Sequence, residues 1–267
     1  MLPLATMGLA TGSGAAVGLS LGMVGGGGSI LAVPLLTYVV GVSSPHVAIG
    51  TSAIAVALSA AGNLVPHGLA GRVKWRCALV FSAAGVLGAL AGSTLAKAVD
   101  GQKLLALFGL LMLVVGGLML RPRAGGGDPR VRLTRHTAKE LLPLLLGIGF
   151  AVGAFSGFFG IGGGFLIVPG LILATGMPLQ YAIGTSLVAV SAFGAATAAS
   201  YAASGLIDWP LAGLFVLGGI LGGAIGAGLG RRLAEHKRTL NLAFAGLVLV
   251  VGLYVVARGL VPLVAGA

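Results

Sequence analysis

The chain has very little charge, and this scarcity is its first informative property. Only 8% of its 267 residues are charged, and only 5 are acidic. Soluble domains carry about 25% charged residues, so this chain lacks the charge to cover a water-facing surface of its size. The 57% hydrophobic content and mean hydropathy of +1.10 agree. The composition argues against a soluble enzyme, a nucleic-acid-binding protein and a disordered chain, and predicts an all-α integral membrane protein.

Cysteine and strand-like alternation are also scarce. Cys77 is the single cysteine, so no disulfide can form within one chain. The long apolar run Leu104–Leu120 shows no alternation of apolar and polar residues, whereas a transmembrane barrel strand would alternate. What the chain has in abundance is glycine, with 49 residues.

The chain contains an internal repeat. The segments Gly22–Gly41 and Gly157–Gly176, 135 residues apart, are identical at nine of twenty positions. Each is followed by the same pentapeptide, Ala-Ile-Gly-Thr-Ser, at residues 48–52 and 182–186, now 134 residues apart. This register over such a distance indicates a duplicated unit.

Each half divides into five apolar segments, of which the second is only about 13 residues long. A full span needs roughly 20 residues, so this length predicts a half-helix or one arm of a re-entrant hairpin. The segments lie near residues 4–24, 29–41, 47–69, 75–96 and 103–120, and near 141–159, 164–176, 180–204, 209–230 and 239–260. We predict a first transmembrane repeat at 1–120, a basic linker at 121–140 and a second repeat at 141–267.

The positions of the basic residues predict how the halves are oriented. The tract Arg121–Lys139 holds six of the sixteen Lys and Arg residues, and basic loops usually face the cytoplasm. With an odd number of crossings per half, most other basic residues also lie on that face: Arg72, Lys74, Arg76, Arg231, Arg232, Lys237 and Arg238. The halves then form inverted-topology repeats, the linker is cytoplasmic, and both termini lie outside.

Two glycine-rich turns, Gly25–Ser29 and Gly160–Gly164, stand at the start of the short segments. Each precedes a proline, Pro34 or Pro169. Glycine leaves backbone N–H groups accessible, and a helix N-terminus adds unpaired donors and a partial positive charge. An anion can bind there without a basic side chain. The alternative is that these glycines only allow helices to pack closely.

The segment after each turn carries polar residues. Ser52, Ser59, Asn63 and His67 lie on one helical face, and polar groups at membrane depth usually face a cavity or another helix. Thr51 and Thr185 line the same cavity or cap the preceding turn. His67 is a candidate for proton coupling. The predicted substrate-binding residues are Gly26, Gly27, Gly28, Ser29, Thr51, Ser52, Asn63, Gly162, Gly163, Gly164, Thr185, Ser186 and Thr197.

Other features have structural interpretations or exclude chemistry. The rows Ala84, Gly88, Gly92 and Gly218, Gly222, Gly226 predict close helix packing. All five carboxylates lie at segment ends or in loops, which argues against a buried carboxylate relay. No catalytic or metal-ligand motif is present, so we expect no enzymatic activity, no metal and no cofactor.

The repeated pattern of a glycine-rich turn, an apolar helix with proline, and Ala-Ile-Gly-Thr-Ser resembles the TauE/SafE sulfite-exporter family of membrane transporters. The resemblance spans residues from about 10 to 258. It implies a prokaryotic inner-membrane protein that transports small anions such as sulfite, sulfonates and related organic acids. The run Gly25–Ser29 departs from the family pattern, in which an apolar residue interrupts the glycines, as Ile161 does in the second copy.

These observations predict a secondary transporter of small anions that works by alternating access. A passive anion channel and a non-transporting membrane scaffold are the alternatives. The expected partners are a small anionic substrate and the lipid bilayer, with no nucleic acid. The sequence leaves a homodimer open.

Overall fold

The computed structural model describes residues 3–24, 26–120, 128, 131, 133–134, 137–160, 162, 164–232 and 237–265. Within these residues the fold is helical, and each helix begins and ends within a few residues of a predicted apolar segment. The helices are α1 (Leu4–Val24), α2 (26–39), α3 (Pro45–Leu69), α4 (Trp75–Lys97), α5 (Gly101–Leu120), α6 (Ala138–Phe159), α7 (Gly164–Thr175), α8 (Leu179–Ala202), α9 (Trp209–Arg232) and α10 (Lys237–Ala265).

Polar residues at the helix starts explain several of these boundaries. The Ser44 hydroxyl accepts a hydrogen bond from the Val47 amide at 3.4 Å, and Pro45 supplies a fixed φ at the first position of α3. The carboxylates of Asp100 and Asp208 accept backbone N–H groups at the starts of α5 and α9. Because negative charge is favourable at a helix N-terminus, Asp100 and Asp208 stabilise the starts of α5 and α9.

Two short helices, α2 and α7, lie at the predicted positions; α7 follows its glycine-rich turn, whereas Gly26–Ser29 of the first predicted turn form the start of α2 itself. α2 is irregular: it has 3-10 geometry over Gly26–Leu31, α geometry over Ala32–Pro34 and π geometry over Leu35–Val39. Pro34 cannot donate a helical hydrogen bond, and the change to π geometry comes directly after it. α7 is a regular helix of 12 residues. Both are too short to cross a bilayer alone.

Helices of the two halves pack against each other along glycine seams. α1 packs along α9, and α4 packs along α6. Gly18 lies against the backbone of Gly219, and Gly153 lies against the backbone of Gly85. A Cβ at either position would collide with backbone atoms. The predicted rows of small residues in α4 and α9 are confirmed as packing surfaces, because Gly88, Gly92, Gly218, Gly222 and Gly226 all meet the backbone of the facing helix.

At the centre, helices that are equivalent in the repeat lie side by side. α3 packs against α8, and α5 packs against α10. Gly50 near the start of α3 meets Leu206 beyond the end of α8, whereas Gly184 near the start of α8 meets Arg72 beyond the end of α3. α3 and α8 therefore run antiparallel.

Eight helices in the described part of the chain are long and apolar enough to cross a membrane, and α2 and α7 are the shorter apolar helices. Large apolar side chains are exposed along many of these helices, as expected for surfaces in contact with lipid, including Leu79, Leu87, Leu110, Leu221 and Val250. Trp75 and Trp209 are exposed at the first residues of α4 and α9, where tryptophans of the membrane interface occur. The chain is a multi-pass membrane protein.

Candidate functional site in the bundle interior

The second glycine-rich turn lies between α3 and α8. Gly160 ends α6 with φ +66° and donates its N–H to the Ser156 carbonyl, and Gly162 has φ +63°. These left-handed conformations favour glycine. A Cβ at Gly162 would lie 2.8 Å from Cγ1 of Val56 and 3.2 Å from Cγ1 of Val190. The turn is thus enclosed by the two central helices.

A side chain of the first half binds this turn directly. The Ser52 hydroxyl lies 2.8 Å from the carbonyl oxygen of Ile49 in its own helix and 3.1 Å from the carbonyl oxygen of Gly160. Ser52 is fully buried. Its single hydrogen is therefore shared between α3 and the turn, which orients the turn's carbonyl toward α3.

The first glycine-rich turn enters the same region from the other half. Gly26–Leu31 packs against α1, α7 and α8. Gly28 lies against the backbone of Ser20 and Leu21, and Ser29 is fully buried. Because α7 begins at Gly164, directly after the second turn, the two short segments meet inside the bundle. At the start of each, the first N–H groups have no partner within their own helix.

Thr51 and Thr185 make equivalent contacts between the halves. The Thr51 hydroxyl accepts a hydrogen bond from the Asp208 backbone N–H at 3.0 Å, and the Thr185 hydroxyl accepts one from the Lys74 N–H at 3.0 Å. Both threonines are fully buried. Thr51 therefore binds the loop that precedes α9, and Thr185 binds the loop that precedes α4.

The remaining predicted residues occupy varied positions. Ser186 donates to the Ile183 carbonyl in its own helix, at 2.8 Å. Asn63 is partly buried against Gly223 of α9 and donates to the Ser59 carbonyl, at 2.9 Å. Thr197 is fully buried, and its hydroxyl has no hydrogen-bond partner among the described atoms.

His67 lies in the last turn of α3 and is partly buried. Gly26 and Gly27 are in the 3-10 part of α2, and Gly164 is the buried first residue of α7. Gly163 lies outside the described residues.

Val56 and Val190 are residues near the turn that sequence reasoning missed. Both are fully buried, and they are equivalent in the repeat because they are 134 residues apart. Both approach Gly162, so the equivalent faces of α3 and α8 converge at this turn. The repeat offset shows that Val56 and Val190 are equivalent. The surrounding sequence is apolar throughout, so it does not indicate which of its residues contact the turn.

In the described part of the chain, charged side chains lie toward the ends of helices or in loops. Among the described carboxylates, Asp100 and Asp208 precede helices and Glu140 is in the first turn of α6. At the two ends of α8, Lys74 lies 4.5 Å from the ring centroid of Tyr181 and Lys97 lies 5.8 Å from that of Tyr201. The polar groups described around the turns are hydroxyls, amides and backbone groups.

This arrangement defines a class of protein: a helical multi-pass membrane protein with two buried, glycine-rich helix breaks. A family model described as "Sulfite exporter TauE/SafE" matches residues 10–255. The chain belongs to this family of membrane transporters, and the resemblance found in the repeated motif is confirmed.

Relatives support the same assignment. A "Probable membrane transporter protein" of Xylella fastidiosa (strain Temecula1) is 50% identical over 95% of this chain and 96% of its own length. The "Probable membrane transporter protein YunE" of Bacillus subtilis is 25% identical over 89% of this chain and 93% of its own length. A "Probable membrane transporter protein" of Haemophilus influenzae is 27% identical over 65% of each chain. No solved structure matches the chain.

Proposed function

We propose that this transporter carries small anions, such as sulfite, sulfonates or related organic anions, by alternating access, and that it has no enzymatic activity. The observation that carries this proposal is the burial of two helix-start segments near each other inside the bundle, the first against α1, α7 and α8 and the second between α3 and α8. The N–H groups at a helix start and the positive end of the helix dipole favour an anion there. Because no lysine or arginine is described at the turns, binding stays weak enough for release.

The proposed site uses backbone donors first and side chains second. The N–H groups of Gly26–Ser29 and Gly162–Gly164 hold the anionic head group. Ser52, Ser186, Asn63 and Thr197 shape the surrounding space. The unpartnered hydroxyl of Thr197 supports a polar role for that position. Thr51 and Thr185, next to Ser52 and Ser186 in sequence, bind the loops that precede α9 and α4.

We further propose that the halves are inverted-topology repeats in the prokaryotic inner membrane. This is supported by the antiparallel arrangement of α3 and α8, which are equivalent in sequence. It is also supported by the basic residues of the linker and of the loop 70–74, which indicate a cytoplasmic face. Both termini then lie outside. Rocking of one half against the other exposes the site to each face in turn.

The test is transport by the purified protein in proteoliposomes. Uptake of labelled sulfite is measured with unlabelled sulfite, sulfate, sulfoacetate, taurine or small carboxylates inside, and counterflow is followed over time. A transporter gives saturable uptake and counterflow of at least one anion. A channel instead gives large anion currents without counterflow, and a scaffold gives no flux above empty vesicles.

A further inference from the structure

Two equivalent hydrogen bonds fasten opposite ends of the α3–α8 pair. In the first, which we name the Thr51 contact, the Thr51 hydroxyl accepts the N–H of Asp208. In the second, the Thr185 contact, the Thr185 hydroxyl accepts the N–H of Lys74. Residues 51 and 185 are 134 apart, as are 74 and 208. The same bond is therefore made twice, from each half to the other.

The two contacts lie far apart because α3 and α8 are antiparallel. Thr51 is in the second turn of α3 and binds the loop between α8 and α9. Thr185 is in the second turn of α8 and binds the loop between α3 and α4. The stretch of α3 from Thr51 to its end at Leu69 is about 27 Å long at 1.5 Å per residue. The contacts therefore close opposite ends of the central pair.

Each contact holds a loop at the start of a packed helix. Lys74 directly precedes α4, and Asp208 directly precedes α9. α4 packs along α6 and α9 along α1, so each loop is joined to a glycine seam that includes a helix of the other half. Releasing one contact removes the hydrogen bond between one seam and one end of the α3–α8 pair and leaves the bond at the other end in place.

We propose that the Thr51 and Thr185 contacts are the two gates of the transport cycle, opened one at a time. The Thr51 contact closes the end with the α8–α9 loop, and the Thr185 contact closes the end with the basic α3–α4 loop. This inference rests on the alternating-access part of the proposed function. A single buried hydrogen bond has a modest net strength, which allows each gate to open reversibly.

A charged side chain accompanies each gate. Lys97 donates to the Ser200 carbonyl at 3.1 Å and to the Ser204 hydroxyl at 2.9 Å, in the segment that leads to Asp208. At the other gate, the Lys74 ammonium lies over the Tyr181 ring. An anion that enters at either end therefore meets a cation beside the gate.

The test measures from which side a central reporter can be reached. Cys77 is replaced by Ala, and Val56→Cys provides a buried thiol beside Gly162. A membrane-impermeant methanethiosulfonate reagent that carries a sulfonate is applied to right-side-out or inside-out vesicles. The measured quantity is the labelling rate in right-side-out vesicles divided by the rate in inside-out vesicles. This ratio is compared between the parent protein, T51V and T185V. The control is T175V, because Thr175 is buried and its hydroxyl forms local hydrogen bonds, to the Leu171 carbonyl and the Met177 N–H.

We expect T51V and T185V to change the ratio in opposite directions, each by about three- to tenfold, the size expected for one buried hydrogen bond. T51V favours labelling from the face of the α8–α9 loop, and T185V from the face of the α3–α4 loop. T51S and T185S, which keep the hydroxyl, and T175V leave the ratio near that of the parent.

Two results would overturn the gate assignment. One is a shift of both valine variants in the same direction. The other is an unchanged ratio in variants that elute and unfold like the parent in detergent. Because labelling does not require transport, opposite shifts without flux of any tested anion would reject the anion substrate and keep the gates. Anion flux together with a labelling ratio that neither valine variant changes would reject the gate assignment and keep the transport function.

Discussion

The hydroxyl of Ser52 lies 3.1 Å from the carbonyl oxygen of Gly160, which joins the central helix of the first half to the glycine-rich turn of the second. The equivalent serine, Ser186, donates to Ile183 in its own helix. Ser52 makes the same bond within its own helix, to the Ile49 carbonyl at 2.8 Å. The hydroxyl of Ser52 therefore contacts both its own helix and the turn of the other half.

We predict that S52A destabilises the protein by about 1 kcal/mol more than S93A, because removing the Ser52 hydroxyl also leaves the Gly160 carbonyl without this donor. Thermal unfolding of both variants in the same detergent measures the difference. Equal stabilities would show that the bond to Gly160 contributes nothing to the fold. S93A is the matched control, since Ser93 is also fully buried and its hydroxyl donates within its own helix, to the Leu90 carbonyl at 3.0 Å.

We predict that G162A abolishes or strongly reduces transport, whereas G176A has a small effect. Both glycines have positive φ, so each substitution costs roughly 1–2 kcal/mol of backbone strain. Only at Gly162 does the new Cβ also meet Val56 and Val190, since nothing lies within 4 Å of the position at Gly176. Proteoliposome uptake and detergent unfolding are the measurements.

The double variant V56A/G162A provides a second check of this interpretation. Removing the Val56 methyl groups makes room for the Cβ at position 162, so part of the lost stability should return. If the double variant is no more stable than G162A, the backbone strain alone accounts for the defect.

We predict that G18A lowers the melting temperature and that G12A does not. Gly18 lies against the backbone of Gly219, while no atom lies within 4 Å of a Cβ at Gly12 on the same helix. Separating α1 from α9 costs about 1–3 kcal/mol, whereas an exposed Gly→Ala change in a helix gains up to about 1 kcal/mol. Circular dichroism melts of the two proteins compare them directly, and equal melting temperatures would contradict a tight seam at Gly18.

We predict that H67Y removes the dependence of anion uptake on an imposed pH gradient while uptake without a gradient continues. Tyrosine is the residue at the equivalent position, Tyr201, so its size is tolerated elsewhere in the repeat. A tyrosine does not exchange protons near neutral pH, whereas histidine does. Uptake measured with and without the gradient in both proteins tests proton coupling. A gradient response that survives in H67Y would assign coupling to another group.

Local sequence was enough to predict the elements of this protein. The apolar lengths predicted the long helices and the two short ones, because a helix in lipid must satisfy its own backbone and needs a defined length to span. The duplicated turn and pentapeptide predicted the family. The rows ending in Gly92 and Gly226 predicted close packing, because small residues at every fourth position lie on one helix face.

Only the tertiary structure decided which groups meet between the halves. A repeat offset says that Thr51 and Thr185 are equivalent, but it does not say that each hydroxyl binds the other half's loop. It also does not predict that Ser52 binds Gly160 or that Val56 and Val190 enclose Gly162. Except for the contact between Val190 and Gly162, these contacts join residues more than 100 positions apart. They depend on how the antiparallel helices cross. Neither the hydrophobic pattern nor the local helix propensity of the sequence determines that crossing.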